Sequence, residues 1–152
     1  MSRKRKIMAV ASEGGHWIQL MRLRPAFEGA EVVYVSTNPA LAKAFGLTNF
    51  RLLPDANLDE KLKLVWVLIK ALVLVIRERP THVITTGAAP GFAVMLCGKI
   101  TGAKVIWIDS IANAEELSSA GRKAGKVADH WLTQWEHLTD KYPGLECKGR
   151  VI

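Results

Sequence analysis

Short apolar runs alternate with longer amphipathic segments along the whole chain. The runs that predict strands cover residues 7–11, 31–36, 50–53, 82–86, 104–109 and 131–135. The segments between them predict helices at 17–27, 39–45, 59–79, 91–101 and 122–127. Continuous apolar strands separated by helices are typical of a parallel sheet covered on both faces. The pattern therefore predicts an α/β fold, a Rossmann-like parallel sheet with helices on both faces.

Three loops fall at the carboxyl edge of this sheet, where ligands bind in such folds. In the first loop, Gly14 and Gly15 precede a helix start, where free N–H groups and the helix dipole favour a phosphate. A plain strand-to-helix turn is the structural alternative. His16 follows them in the first helical turn, and a partly exposed surface histidine is the alternative for that residue.

The second and third loops carry similar chemistry. The second combines Thr86 with Gly87 and Gly91, which allow close backbone approach, and with Pro90, which we expect to open a helix. The third begins with Asp109 and Ser110 at the end of an apolar strand. Burying an unpaired charge is costly, so we expect a partner for Asp109. Capping of the next helix is the structural alternative for that carboxylate.

Several common cofactor sites do not fit the sequence. A dinucleotide fingerprint needs G-x-G-x-x-G and an acid at the end of the second strand, but that strand ends Ser36-Thr37-Asn38. The chain contains no P-loop motif either. Cys97 and Cys147 lack zinc-site spacing, so we interpret both as free thiols in a reducing cytoplasm. We expect neither a metal nor a cofactor.

Composition narrows the class of partner. The chain has 152 residues, of which 49% are hydrophobic, which suits a single domain over residues 1–152. Lys and Arg outnumber Asp and Glu by 21 to 14, giving a formal charge of +7 and favouring an anionic partner. No nucleic-acid recognition motif accompanies this charge, so phosphorylated substrates and anionic membranes fit better. The apolar run after the basic residues 3–6 is too short for a signal peptide.

The longest helix candidate has an apolar stretch at residues 62–76. It would reach only about 22 Å at a rise of about 1.5 Å per residue, short of a hydrocarbon core of about 30 Å. We therefore expect that it does not span a bilayer. It is either buried between the sheet and its neighbours, or its outer face, with Lys63, Trp66 and Lys70, enters a membrane interface.

Four segments together resemble a known family: SEGGHW, TTGAAPG, WIDSIAN followed by LSSAGR, and ADHWLTQW. They are similar to the small subunit of two-component glycosyltransferases. That family includes PssD-type bacterial exopolysaccharide proteins and the membrane-anchor subunit of the eukaryotic UDP-N-acetylglucosamine transferase that makes dolichol-linked chitobiose. The resemblance covers essentially the whole chain. It implies the N-terminal half of a GT-B glycosyltransferase, similar to the peptidoglycan enzyme MurG.

The resemblance also implies a partner and an incomplete active site. A second chain would supply the half that binds the sugar nucleotide, and the catalytic cleft would lie between two polypeptides, since this sequence stops where a GT-B enzyme crosses into that half. We expect the interface along residues 142–152. The eukaryotic subunit carries an N-terminal membrane-spanning helix, whereas only a short basic stretch precedes the first strand here. This difference favours a bacterial protein attached peripherally to the inner face of the cell membrane.

Site roles follow from the resemblance position by position. Gly14, Gly15 and His16 match the loop that faces the lipid-diphosphate acceptor. The second acceptor-side loop is matched by Thr86, Gly87, Pro90 and Gly91, and Ser110 is grouped with these acceptor residues. Asp109 matches an acidic position at the following strand end. An inverting transfer needs a base, for which His16 is the first candidate because imidazoles titrate near neutral pH. Asp109 is the second candidate, as base or as the group that orients His16.

The expected function is therefore the acceptor-binding, membrane-associating subunit of a heteromeric inverting glycosyltransferase. A UDP-sugar, bound through the partner, would donate a sugar to a polyprenyl-diphosphate-linked saccharide in polysaccharide biosynthesis. The alternative is a non-catalytic membrane scaffold that recruits a catalytic subunit. A nucleic-acid binder is the least favoured class, because the tryptophans lie mostly in apolar runs.

Overall fold

The computed structural model of the protein describes residues 4–57 and 59–151. Its strands are β1 (Lys6–Val10), β2 (Glu31–Ser36), β3 (Phe50–Leu52), β4 (His82–Thr85), β5 (Lys104–Ile108), β6 (His130–Thr133) and β7 (Glu146–Cys147). They form one sheet in the order β3-β2-β1-β4-β5-β6-β7, and every neighbouring pair is parallel. The predicted Rossmann-like parallel sheet is confirmed.

Helices connect the strands on both faces of this sheet. They are α1 (Gly15–Arg22), α2 (Ala40–Ala44), α3 (Lys61–Glu78), α4 (Ala88–Ile100) and α5 (Ser119–Ala124), with 3-10 turns at Arg24–Phe27 and Glu136–Asp140. The helix predicted at 17–27 is thus split, since Pro25 lies in the first turn of a separate 3-10 segment. The short edge strand β7 was not predicted.

Alternation of side chains along the strands divides the core between the two faces. Met8 and Val10 point into a cluster that includes Val67, Ala71 and Val75 of α3. Ile7 and Ala9 point to the opposite face, into a cluster built around Trp17 and Leu20 of α1. Because both faces are covered, the central strands are apolar along their whole length, which is the pattern that made them recognisable in the sequence.

The strand order reverses direction at β1. The chain first builds β2 and β3 on one side of β1, then crosses to β4 and continues outward through β5, β6 and β7. Such a reversal separates the two loops that leave adjoining strands, so that a crevice opens beyond their carboxyl ends. In this protein the crevice lies between the loop after β1 and the loop after β4.

Helix α3 presents two different faces. Its inner face is fully buried, but its outer face exposes large apolar side chains: Leu62, Val65, Trp66, Ile69, Leu72, Val73 and Ile76. One of the two alternatives was that this helix is buried between the sheet and its neighbours. The exposed outer face does not agree with that alternative. Within residues 4–57 and 59–151, no helix is both long enough and apolar enough to cross a membrane.

Candidate functional site

His16 and Thr86 join the two loops at the reversal point. The Thr86 hydroxyl donates to the backbone carbonyl of His16 at 2.6 Å, and His16 Nδ1 lies 3.0 Å from the backbone carbonyl oxygen of Thr86. The imidazole also lies against Gly87, where a Cβ would be only 2.7 Å from ring atoms Cε1 and Nδ1. We call this arrangement of His16, Thr86 and Gly87 the imidazole seat.

Glycine is needed at two positions around the seat. Gly14 has φ +85° and Gly87 has φ +137°, both in the region that residues with a side chain rarely adopt. These turns bring the starts of α1 and α4 to the same edge of the sheet, and no side chain caps either start. The first N–H groups of α1, and those of Ala88 and Ala89 in α4, can therefore donate to an anion.

The seat determines which imidazole nitrogen can take up a proton. A carbonyl oxygen only accepts hydrogen bonds, so the contact with Thr86 requires Nδ1 of His16 to carry the hydrogen. In the neutral ring the lone pair then belongs to Nε2. His16 is half-buried, and its position in the first turn of α1 keeps it at the crevice.

Asp109 occupies a different environment from the one expected. It is only 1% exposed. Its Oδ1 accepts hydrogen bonds from Trp107 Nε1 (3.1 Å) and Ser118 Oγ (2.7 Å), and its Oδ2 accepts from Asn113 Nδ2 (3.0 Å) and the Ser118 backbone N–H (3.2 Å).

These four donors saturate the carboxylate. A carboxylate offers about four lone-pair positions, so no position remains on Asp109 to abstract a proton. The orienting contact on His16 comes from Thr86 rather than from Asp109. We therefore interpret Asp109 as the residue that ties the end of β5 to the start of α5, while its catalytic role stays a prediction.

Ser110 belongs to a buried polar network. Its hydroxyl oxygen accepts from Gln19 Nε2 at 3.2 Å and from the Ala112 backbone N–H at 3.2 Å. Gln19 Oε1 in turn accepts from Gln134 Nε2 at 2.5 Å, and Gln134 Oε1 accepts from the Val151 backbone N–H at 2.7 Å. This network joins α1 to the C-terminal segment and gives Ser110 a structural role, while the predicted phosphate contact of Ser110 stays a prediction.

Pro90 and Gly91 are buried inside the first turn of α4. The helix begins at Ala88, so Pro90 is its third residue and does not open it as predicted; its missing N–H costs nothing there, because the first N–H groups of a helix have no internal partner. A Cβ on Gly91 would collide with Thr85 Oγ1. Gly91 therefore serves the packing of α4 on β4, which does not require a ligand.

A cavity of about 360 Å³ opens at the same edge of the sheet. Its lining comes from four segments: Ser12 and Glu13, residues 55–57, Ala88 and Ala89 at the start of α4, and Ser118, Ser119 and Ala120 at the start of α5. None of the nine predicted catalytic or acceptor residues lines it. They flank it instead, because Ser12 and Glu13 directly precede Gly14, and Ala88 directly follows Gly87.

The polar residues of this cavity were not among the predicted site residues: Ser12, Glu13, Asp55, Asn57, Ser118 and Ser119. Glu13 Oε2 accepts a hydrogen bond from Asn38 Nδ2 at 2.7 Å, which holds the carboxylate at the rim. Its place within SEGGH was the available signal for Glu13. The segment LSSAGR was the available signal for Ser118, although the local pattern does not show that α5 packs beside α4 and brings Ser118 to the cavity.

The part of the chain that the structure describes contains no candidate metal site. No group of three or more His, Cys, Asp and Glu side chains there could hold a metal ion. Cys97 and Cys147 are both free thiols, as expected. Burial raises the pKa of the Cys97 thiol above its usual value, which keeps that thiol protonated.

The fold and the edge of the sheet define a class of protein. A parallel sheet whose strand order reverses at β1, with helices on both faces, is a doubly wound, Rossmann-like α/β fold, the fold of the N-terminal half of GT-B enzymes. MurG from Acinetobacter baumannii has the same fold over 97% of this chain and 45% of its own, with a TM-score of 0.76 and 14% identity. A UDP-N-acetylglucosamine 2-epimerase matches 91% of this chain and 44% of its own, with a TM-score of 0.71 and 15% identity.

Sequence comparison gives the family. Residues 36–151 match the family described as "Oligosaccharide biosynthesis protein Alg14 like", and the chain belongs to it. The UDP-N-acetylglucosamine transferase subunit ALG14 of Mus musculus is 32% identical over 87 residues, covering 52% of this chain and 39% of the mouse protein. The same subunit of Rattus norvegicus is 25% identical over 183 positions, covering 96% of this chain and 82% of the rat protein. These relatives are glycosyltransferase subunits.

Proposed function

We propose that the protein is the acceptor-side, membrane-contacting subunit of a heteromeric inverting glycosyltransferase. A partner chain binds a UDP-sugar, and the sugar passes to a polyprenyl-diphosphate-linked saccharide held at the carboxyl edge of this sheet. The family and its transferase-subunit relatives support the reaction class. The PssD-type role in bacterial exopolysaccharide synthesis is the more specific form of the same proposal.

The imidazole seat is the observation that carries this proposal. His16 Nε2 takes the proton from the acceptor hydroxyl while that oxygen attacks the anomeric carbon of the donor sugar and the UDP leaves on the opposite side. One displacement inverts the anomeric centre. The uncapped starts of α1 and α4 beside the ring provide N–H donors for the acceptor diphosphate.

The cavity next to the seat suits the saccharide part of the acceptor. Its polar lining consists largely of hydroxyl groups and carboxylates, from Ser12, Glu13, Asp55 and Ser118. Carboxylates accept hydrogen bonds from sugar hydroxyls but repel a diphosphate. We therefore assign the sugar to this cavity and the diphosphate to the helix starts, where the field is positive.

The outer face of α3 is the proposed membrane contact. Trp66 is 52% exposed among the apolar side chains of this face, and Lys63 and Lys70 flank it. Basic residues near an anionic leaflet contribute about 1 kcal/mol each, so several of them hold a protein there reversibly. Residues 55–57, which line the cavity, directly precede α3, so a lipid-linked acceptor would enter close to the membrane contact.

The interface with the donor-binding partner is proposed along residues 142–151. The edge strand β7 lies here at the free side of the sheet. Arg150 stacks on the ring of Trp135 at 4.3 Å, which fixes the segment after β7 against the sheet. Position 152, also predicted for the interface, and Arg3 of the basic N-terminal stretch are outside the described residues.

A non-catalytic scaffold is the second candidate, and two observations favour it. No predicted catalytic side chain lines the 360 Å³ cavity, and the carboxylate of Asp109 is fully engaged in structural hydrogen bonds. In that case the helix starts and the cavity would bind the acceptor, and the partner chain would provide the base.

Replacement of His16 distinguishes the two candidates. The chain is co-expressed with its partner, and sugar transfer from a radiolabelled UDP-sugar to membrane lipids is measured for wild type, His16→Ala and His16→Gln. A catalytic base predicts a loss of about two to four orders of magnitude in both variants. His130→Ala is the control, because His130 is exposed on β6 and away from the seat. Near-normal transfer by both His16 variants would leave the scaffold as the function.

A further inference from the structure

Three basic residues form a row along one flank of α3. Lys63, Lys70 and Arg77 are seven residues apart, close to two helical turns, so their side chains leave the helix on nearly the same side. The row borders the exposed apolar face of the helix. This arrangement, with apolar side chains on one strip and cations beside them, is typical of helices that lie in a membrane interface.

A cleft of about 240 Å³ separates part of this row from strand β3. Arg51, Lys70 and Arg77 provide its charge, and Leu52, Val73 and Leu74 provide its apolar wall. We call it the basic cleft. Lys63 belongs to the same row but does not line the cleft, so charge on the row and charge in the cleft can be separated experimentally.

Two of the three cations of the cleft, Arg51 and Lys70, are held in place by neighbouring groups. Arg51 Nε donates to Glu78 Oε1 at 2.9 Å and its Nη1 donates to the Phe50 carbonyl at 3.0 Å. A guanidinium has five N–H donors, so further donors remain on Arg51. Lys70 Nζ lies 4.9 Å from the centroid of the Trp66 ring, which restrains this side chain along the helix.

The local charge remains positive despite one carboxylate. Glu78 is shared between Arg51 and Lys6, whose Nζ lies 3.1 Å from Glu78 Oε2. Lys70 and Arg77 add two further cations at the cleft. A phosphate monoanion or diester would therefore enter a site with excess positive charge and with guanidinium groups suited to its oxygen atoms.

We propose that the basic cleft binds the phosphate of an anionic phospholipid. A lipid fits better than a free phosphate because the cleft opens onto apolar surface: Leu52 is 54% exposed and Val73 is 49% exposed. The acyl chains would lie along these side chains and continue over the outer face of α3. The inference rests on the proposed membrane contact of α3, and it adds a defined headgroup site to a face that would otherwise attract any anionic surface.

The test compares lipid phosphate with charge alone. The full chain is titrated with phosphatidylcholine vesicles containing phosphatidylglycerol, and with vesicles given the same surface charge by cholesteryl hemisuccinate, which carries a carboxylate and no phosphate. Wild type, Arg77→Gln and Lys63→Gln are compared on both. Lys63→Gln is the matched control, because it removes one charge from the same row without touching the cleft.

The proposal expects wild type to bind phosphatidylglycerol vesicles more tightly than hemisuccinate vesicles. Arg77→Gln should abolish that preference, whereas Lys63→Gln should weaken binding to both vesicles equally, by roughly fivefold for one charge near the surface. Equal losses in the two variants, or no preference in wild type, would mean diffuse attraction and would overturn the proposal.

Two further measurements complete the test. Short-chain dihexanoyl phosphatidylglycerol should compete with vesicles at concentrations where inorganic phosphate does not; equal competition would overturn the assignment to a lipid. If thermal melting finds Arg77→Gln unfolded, Lys70→Gln replaces it with the same expected loss of preference. Vesicle binding needs neither the partner chain nor a sugar donor. Loss of the preference for phosphatidylglycerol with intact sugar transfer would overturn this inference alone. Loss of sugar transfer with the preference intact would count against the proposed function alone.

Discussion

The ring of His16 lies so close to the Cα of Gly87 that a Cβ at position 87 would be 2.7 Å from two ring atoms. Real Cβ contacts are longer, so a side chain at position 87 would displace the ring or the loop. The positive φ of Gly87 adds a second requirement for glycine. The position of the His16 imidazole therefore depends on Gly87, a residue without a side chain.

Gly87→Ala is expected to reduce sugar transfer by at least about tenfold and to destabilise the fold by about 1–3 kcal/mol, because the added methyl group is both overpacked and strained. Transfer by the co-expressed pair and urea unfolding measure the two effects. Gly102→Ala is the matched control: Gly102 also has a positive φ (+95°), but a Cβ there meets open space. That variant should lose some stability and keep its activity. Equal activity in both variants would contradict the role of the seat.

Asp109→Asn is expected to lower the free energy of unfolding by about 2–3 kcal/mol. The amide replaces one accepting oxygen by an NH₂ group, which then faces two donors in a site that is 1% exposed. Urea unfolding measures the change. Asp140→Asn, on an exposed 3-10 turn, is the control and should change stability little. A fully stable Asp109→Asn protein without transfer activity would restore Asp109 as a catalytic candidate.

Glu78 should make the stability depend on acidic pH. Burial acts to raise the pKa of this carboxyl, but hydrogen bonds and charge from Lys6 and Arg51 outweigh it and hold the pKa below its ordinary value of 4.5. A lowered folded pKa stabilises the protein fully above about 4.5, and the contribution is lost as the pH falls through the folded pKa.

Glu78→Gln should therefore cost about 1.5 kcal/mol at neutral pH, the size expected for hydrogen bonds to a charged group. The difference from wild type should shrink as the pH falls below 4.5. Urea unfolding across this range measures it. Glu60→Gln is the control, because the pair of Glu60 with Lys63 is exposed to solvent and should contribute little. A difference between wild type and Glu78→Gln that does not vary with pH would contradict this account.

Ile69→Asp should weaken binding to phosphatidylglycerol-containing vesicles by roughly tenfold or more, since it removes apolar contact and adds a negative charge. Ile69 is 51% exposed on the outer face of α3. Ile100→Asp is the matched control, because Ile100 is 71% exposed but lies at the end of another helix, α4. Vesicle sedimentation compares the two. Equal binding by both variants would exclude α3 as the contact.

The core strands could be predicted because each is a continuous apolar run. Residues 31–36 were predicted with the bounds that the structure has. Strand β7 escaped prediction because Glu146 and Cys147 form only a two-residue pairing at the edge of the sheet, with no apolar pattern. The start of α4 was predicted at residue 91, but the helix begins three residues earlier, at Ala88. The prediction placed the boundary at Pro90, whereas the backbone turn at Gly87 determines it.

The candidate site was predicted less well than the fold, for a physical reason. The loops could be named from Gly14, His16 and Gly87, but their contacts depend on strand order, which no local pattern encodes. Only the pairing of β1 with β4 brings position 16 next to position 86. The partners of Asp109 include Ser118, nine residues later, and no pattern in the sequence predicts that this loop contact engages the carboxylate.

The hydrogen bonds between His16 and Thr86 join residues that are 70 positions apart. Contacts of such long range close a long loop, and closing it costs the intervening chain conformational entropy. When a ribosome has synthesised only the first third of this chain, Gly14, Gly15 and His16 are already present, but Thr86 and Gly87, which orient the imidazole, are not. Maturation of this edge of the sheet is therefore coupled to late steps of folding, because the contacts between His16 and Thr86 cannot form in a nascent chain until β4 has joined β1.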